Sequence, residues 1–331
     1  MGNSMSKRTI IWLLLAVIVL TAGTILCARR WDVWFVTPAE PEWRSDTLST
    51  RFVTFNDHTT YSCQYTDTLT MVVLGDVHNT LTHSDYLRIA QLCPDMQCYA
   101  QLGDFVEREQ LYYKQLLKYH LRGTPFDSLP VMVCPGNHEY TKGVKRQLPD
   151  SWYESFPMPR NGPNDALGTT YYVDFRDLRF IAIDTESPHI LSDYTRLNAW
   201  VKGAISSACQ PWVVVMMHRP VFASRKGRVN PSVWLSMVNA LTGADVIFSG
   251  HDHTYARRGN ALQTEHETHT PVLIGVSSTT HARTPKDRSH MDTIVAGGPF
   301  YERLQVTRHA LTVHSCELDG NCIDSIRLYK K

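Results

Sequence analysis

Residues 244–258 read "ADVIFSGHDHTYARR": an apolar run stops at Gly250, and His251 and His253 follow with only Asp252 between them. In extended backbone, residues two apart point the same way, so this spacing predicts two imidazoles aimed at one point and Asp252 turned elsewhere. Neutral imidazole is the commonest protein metal ligand near neutral pH. Four earlier apolar runs end in the same manner. "TMVVLGDVH" delivers Asp76 and His78, "CYAQLGDFVE" Asp104, "PVMVCPGNHE" Asn137 and His138, and "WVVVMMHRP" His218. A single ending of this kind also fits a strand surfacing into solvent. Five in order, bringing two carboxylates, one amide and five imidazoles, do not arise by chance.

The candidate ligands are Asp76, His78, Asp104, Asn137, His218, His251 and His253, all nitrogen and oxygen donors with no thiolate. Such a set suits Mn, Fe or Zn and argues against calcium. It exceeds what one ion with room for substrate can use, and it suits two ions if one carboxylate bridges them. Paired metals about 3.5–4 Å apart clamp the attacking and leaving oxygens of an in-line phosphoryl displacement. They also lower the pKa of bound water, so that a bridging hydroxide is available near neutrality. Two dications, two carboxylates and one hydroxide leave a positive centre that attracts a phosphate anion. Glycine precedes the polar residue in four of the five endings, at Gly75, Gly103, Gly136 and Gly250, where it permits a sharp turn and close backbone approach.

The elements that position these residues follow from periodicity. Continuous rather than alternating apolarity in the five runs predicts strands covered on both faces. Between them, "FVEREQLYYKQLLKYHLR" places Tyr113, Leu116, Leu117 and Leu121 on one helical stripe. "SDYTRLNAWVKGAISSA" repeats Tyr194, Leu197, Val201 and Ala204 behind an expected N-cap at Ser192. Alternating strands and helices predict an α/β domain with largely parallel strands, whose carboxyl ends are where open sheets build their sites. Hairpins are expected over 171–184 and across Asp319-Gly320 near the C-terminus.

The 331 residues are 43% hydrophobic and 20% charged, with a formal net charge of +1. That balance lacks the basic excess of a nucleic-acid binder, and no nucleic-acid partner is expected. Behind a short flank (1–8), Thr9 to Ala28 is 20 residues without a charge. As a helix it spans roughly 30 Å, a bilayer core, and is expected to be a transmembrane anchor; a cleaved signal segment is the alternative. A linker (29–50) and one domain (51–331) follow. Seven cysteines lie outside the anchor, and the close pairs Cys93/Cys98 and Cys316/Cys322 predict short disulfide loops with Cys134 left free. Disulfides would place the domain outside the cytoplasm, in the periplasm or extracellular space.

The set "GDVH", "GDFVE", "GNHE", "MMHRP" and "GHDHTYAR" resembles the calcineurin-like metallophosphoesterase superfamily over residues ~70–255, and its last two motifs resemble the purple acid phosphatase branch. The resemblance implies a four-layer α/β/β/α sandwich. It also implies that Asp76, His78, Asp104 and His253 hold one metal, and that Asp104, Asn137, His218 and His251 hold the other. His138 would be the acid that protonates the leaving alkoxide and, with Asn137 and Arg219, would contact the phosphate. The implied activity is an acid phosphatase-like phosphomonoesterase acting on a phosphorylated small molecule. Phosphodiester or lipid-linked phosphate hydrolysis, and an inactive scaffold, are the alternatives. Where purple acid phosphatases carry a tyrosine ligand, three residues after the second aspartate, this chain has Glu107; His78 fills a position they leave without histidine. Residues 31–69 are also far short of the ~100 that the fibronectin-like domain of the plant enzymes needs. Glu139 is expected to steady His138 or to be solvated, Arg219 to shape the turn after His218, and Tyr255 and Arg257 to brace the last loop. Residues 277–292 are a candidate rim for the site.

Overall fold

The computed structural model describes residues 68–142, 146–191, 193–224, 231–259, 271–285 and 290–330, the short strands 52–55, 58–61 and 228–229, and Arg8 and Trp12. The expected anchor at 9–28, apart from Trp12, and the linker lie outside these residues. No helix among the described residues is long and apolar enough to cross a membrane.

In chain order the strands are β1 (Phe52–Phe55), β2 (His58–Tyr61), β3 (Leu69–Leu74), β4 (Cys98–Gln101), β5 (Val131–Val133), β6 (Tyr171–Asp174), β7 (Leu178–Ile183), β8 (Trp212–Met217), β9 (Phe222–Ala223), β10 (Arg228–Val229), β11 (Val246–Ser249), β12 (Tyr255–Arg258), β13 (Val272–Gly275), β14 (Thr293–Val295), β15 (Phe300–Val306), β16 (Ala310–Glu317) and β17 (Cys322–Tyr329). The helices are α1 (His83–Leu92), α2 (Leu111–Leu121), α3 (Pro125–Ser128), α4 (Asp150–Ser155), α5 (Glu186–Leu191), α6 (Thr195–Ser206) and α7 (Pro231–Leu241). Two large sheets result, in the orders β1-β2-β6-β7-β8-β11-β13-β12-β14 and β17-β16-β15-β3-β4-β5.

Both sheets are mixed, which corrects the expectation of largely parallel strands. β3, β4 and β5 run parallel, as do β7, β8, β11 and β13. Of the remaining neighbours, β2 and β6 are parallel and the others antiparallel, with short reversals joining β1 to β2, β6 to β7, β15 to β16 and β16 to β17. β6 and β7 form the expected hairpin, and β16 turns into β17 through Gly320, whose φ of 99° suits glycine.

The alternation along β8 explains its unbroken apolar run. Val213, Val215 and Met217 pack with Leu197 and Val201 of α6 and Val233 and Met237 of α7, whereas Trp212, Val214 and Met216 join the core shared with the second sheet. On the other side of the molecule Tyr99 of β4 meets Phe126 of α3, which in turn meets Tyr86 of α1, at ring separations of 4.9 and 5.1 Å. Helices therefore cover the two sheets from outside, as the expected α/β/β/α layering requires. Sequence placed two helix starts too early. α2 begins at Leu111, leaving 105–110 as the loop behind Asp104, and α6 begins at Thr195, whose N–H donates to Asp193 Oδ1 at 2.9 Å.

The disulfide expectation fails. Cys93, Cys98, Cys134, Cys209, Cys316 and Cys322 are all free thiols. Cys316 and Cys322 are cross-strand partners at an irregularity in the ladder, yet both remain free thiols. Cys316 is buried beside Tyr301, and the exposed Cys322 thiol donates to the carbonyl of Asp324 at 3.0 Å.

Candidate metal centre

Every motif residue sits just past the carboxyl end of a strand in the parallel part of a sheet. Asp76 and His78 follow β3, Asp104 follows β4, and Asn137 and His138 follow β5; His218 follows β8, and His251 and His253 follow β11. The site thus lies where the two sheets present the same end, and side chains far apart in sequence converge. Asp76, His78, Asp104 and His253 form one group of buried donors, and Asp104, His218 and His251 form a second.

Asp104 belongs to both groups. Its Oδ2 lies 3.6 Å from His78 Nε2 and 3.4 Å from His218 Nε2. On the first side, His253 Nε2 is 3.4 Å from Asp76 Oδ1 and 3.1 Å from His78 Nε2. On the second, His218 Nε2 is 3.2 Å from both Asn137 Oδ1 and His251 Nδ1. Asp76 Oδ1 is buried without a hydrogen-bond partner. A buried, orphaned carboxylate oxygen facing two imidazole nitrogens is costly unless a cation lies between them. The residues present therefore fit two metal ions with a shared carboxylate.

Ring tautomers are set from outside the cluster. Nδ1–H of His218 donates to the carbonyl of Leu102 at 2.9 Å, that of His253 to His281 at 3.2 Å, and that of His138 to Glu107 at 2.5 Å. Each leaves Nε2 directed inward, as ligating imidazoles are oriented. Glu107, in the tyrosine position, brings Oε2 within 3.2 Å of His78 Nδ1 without hydrogen-bond alignment.

The backbone is unusual here. Among the described non-glycine residues, φ is positive at Asp76 (54°), His78 (49°), Asn79 (57°), Asp104 (50°), His251 (74°) and His253 (53°). Five of these six are candidate ligands. The extended-strand argument for the His251/His253 pair is therefore overturned: the strand ends at Ser249, and a left-handed loop aims the rings. Asp252 does turn away, its Oδ2 accepting from Ser224 at 3.0 Å. Left-handed conformations cost on the order of 1–3 kcal/mol each and persist where surroundings enforce them. The glycines serve contact more than rotation. A Cβ on Gly250 would lie 2.4 Å from Asp76 Oδ2, and one on Gly136 would lie 2.3 Å from Asp104 Oδ1.

Electrostatics follow the same division. Burial takes His78 down to about 3 and His251 down to about 2, so both rings are neutral with a lone pair to offer. Burial also opposes charge on Asp104 and His218, but their mutual attraction prevails. It holds the Asp104 carboxyl below its usual range and lifts His218 to about 10. A cation there would displace the proton of this pair.

Glu139 neither steadies His138 nor faces solvent. It is buried, and its two oxygens accept N–H groups from Asp104, Phe105, Val106 and Gly136 at 2.7–3.3 Å. Burial and the neighbouring Asp104 raise its carboxyl to about 7. Arg219 does more than shape a turn. Its Nε is 2.6 Å from Glu186 Oε1 and its Nη1 is 3.5 Å from His251 Nε2. Arg146 Nη2 lies 3.8 Å from the same buried Glu186 and donates to the carbonyl of Asn137 at 3.3 Å. Sequence reasoning missed Arg146 and Glu186, because neither belongs to a motif. Tyr255 and Arg257 brace the last loop as expected, both donating to Asp324 Oδ2. Residues 277–285 reach the rim, where Arg283 N–H donates to the carbonyl of His253 at 2.9 Å.

The sequence pattern of calcineurin-like phosphoesterases matches residues 69–255, more than half of the chain. The chain belongs to the calcineurin-like phosphoesterase family. Among curated proteins, this phosphoesterase is 28% identical to acid phosphatase type 7 of Mus musculus over 39% of its own length and 33% of the relative's. It is 27% identical to purple acid phosphatase 18 of Arabidopsis thaliana, over 57% of its own length and 44% of the relative's. The alignments thus span about a third to under half of those relatives. In fold it is similar to purple acid phosphatase PPD1 of yellow lupin, with a TM-score of 0.60 at 17% identity over 82% of this chain and 56% of the other.

Proposed function

We propose that this chain is a dinuclear-metal phosphoric ester hydrolase acting chiefly on phosphomonoesters. The observation that supports it most is Asp104 Oδ2, held between His78 and His218 at 3.6 and 3.4 Å and common to both donor groups. Two bound cations of the Mn, Fe or Zn class would supply Lewis-acid charge to the attacking and leaving oxygens and make a water acidic enough to attack phosphorus in line. Asp76, His78, Asp104 and His253 would hold one ion, and Asp104, Asn137, His218 and His251 the other.

The remaining work falls to the protein's own groups. His138 is fixed through Nδ1, and its Nε2 stands 4.0 Å from Asp104 Oδ2, beside the ligands and outside either main donor group. As the imidazolium it gives the Nε2 proton to the departing alkoxide oxygen. Arg219 and the Asn137 amide bind the non-bridging phosphate oxygens, with Glu186 holding the guanidinium in place. The likeness to acid phosphatases favours a monoester. The apolar segment 9–28 supports tethering to a membrane, which intact-mass measurement of membrane-extracted protein tests by finding those residues retained.

The deciding assay is hydrolysis of p-nitrophenyl phosphate and bis-p-nitrophenyl phosphate by the chelator-stripped protein after readdition of Mn, Fe or Zn. Monoester turnover that returns only with metal is expected. Diester turnover in excess of monoester turnover would reverse the substrate class, and inactivity with every metal would remove the hydrolase reading.

A further inference from the structure

Next to the candidate centre lies an open cavity of about 250 Å³, lined in part by Tyr140, Arg146, Gln147, Tyr153, Thr169 and Ser187. It adjoins the Asn137 and Glu186 side of the site, through Arg146. Tyr140 is two residues beyond His138, and Arg146, on the cavity wall, donates to the carbonyl of Asn137. The volume is just below the range of about 300–1,000 Å³ for small-molecule sites, so it suits a small alcohol portion and not a large one.

The wall chemistry narrows the class. Asp184 is already engaged, accepting from the Tyr140 hydroxyl at 2.7 Å and from the N–H groups of Glu186 and Ser187, while the exposed Asp165 lies 3.7 Å from Arg196. Apart from Arg146 and Asp165, what is offered to a ligand is uncharged and hydrogen-bonding. The Ser187 hydroxyl, the Gln147 amide and the Tyr153 phenol donate or accept, and Thr169 keeps acceptor capacity after donating to the carbonyl of Ala166 at 3.1 Å. Leu148 is the sole aliphatic side chain in the lining. An acyl chain would leave these groups dry and unpaired, whereas a polyhydroxyl compound would satisfy them.

The geometry points to this cavity as the leaving-group subsite, reading a small hydroxylated alcohol such as a polyol or hexose, with Arg146 joining it to the phosphate end. The inference rests on the phosphomonoesterase reading and names its substrate class.

The test compares kcat/KM of the metal-reconstituted full chain on glycerol phosphate, a hexose phosphate, short-chain phosphatidic acid and p-nitrophenyl phosphate, for wild type and for Ser187→Ala and Gln147→Leu separately. Wild type is expected to prefer the hydroxylated monoesters over the lipid phosphate. Each variant is expected to lower the ratio of hexose phosphate to p-nitrophenyl phosphate turnover roughly 5-fold, mostly through KM, as loss of one uncharged hydrogen bond does. Preference for phosphatidic acid, or an unchanged ratio in both variants, overturns the subsite. If no ester is turned over with any metal, the hydrolase reading fails and binding decides the subsite alone. Saturation-transfer NMR signals from hexose phosphate on wild type that weaken in Ser187→Ala would uphold it, and no signal on wild type would overturn it.

Discussion

Asp104 and Glu139 are two buried carboxylates on either side of one loop, and their surroundings give them opposite tasks. Asp104 points its Oδ2 at imidazoles from both donor groups, while Glu139 spends its oxygens on four backbone N–H groups that shape the Asp104 loop. Asp104→Asn is therefore expected to keep the fold and lower kcat/KM by roughly 1,000-fold or more, about 4 kcal/mol, with metal content falling in parallel. Glu139→Gln places an amide NH₂ against backbone donors. It should cost about 1–3 kcal/mol of stability in urea denaturation while keeping part of the activity. Equal activity losses with unchanged stability would contradict this division. Glu107→Ala removes the carboxylate 3.2 Å from His78 Nδ1 and is expected to weaken metal affinity ~10–100-fold by calorimetric titration. The seven candidate donors and His138 stood out because each closes an apolar run. Glu186, Arg146 and the approach of the Glu107 carboxylate to His78 Nδ1 did not, because they depend on which loops meet in space, and no local spacing records that.

Strands were legible wherever both faces are covered, as at β8, and hairpins wherever glycine or a short connection forces reversal. Helix starts were harder to place. The residues before α2 and α6 continue the apolar and polar mixture of the helix, yet in the structure they carry the loop behind Asp104 and an Asp193 turn. Left-handed backbone at the ligands also left no mark in the sequence, since aspartate and histidine there replace the expected glycine. A further surprise is Glu302, fully buried in the middle of β15, where Ser315 donates to it from β16. Burial, with the Asp324 charge adding and the Ser315 hydrogen bond opposing, lifts its carboxyl from 4.5 to about 8. The folded form therefore favours the protonated acid. Its stabilising contribution is complete below the unfolded value of about 4.5 and is lost as pH rises through about 8. Thermal unfolding of wild type should accordingly decline between pH 5 and 8 relative to Glu302→Gln; parallel curves would refute the assignment.

At the scale of the whole molecule, Trp212 joins the two sheets. It is buried in β8, its Nε1–H donates to the carbonyl of Thr307 at 2.8 Å, and its ring carries Lys330 Nζ at 4.6 Å from the centroid. That lysine also donates to Asp245 Oδ2 at 2.8 Å, so the end of β17 is pinned beneath β8 and β11. Trp212→Ala is expected to destabilise the chain by about 3–5 kcal/mol in urea titration, because the cavity opens where both sheets lose packing. A loss under 1 kcal/mol would show that the sheets cohere without it. The bond between the halves has a chemical counterpart at Asp104. On the proposed dinuclear reading, this one carboxylate serves both donor groups, so exchanging the ion on one side would alter the charge and geometry that the other side shares.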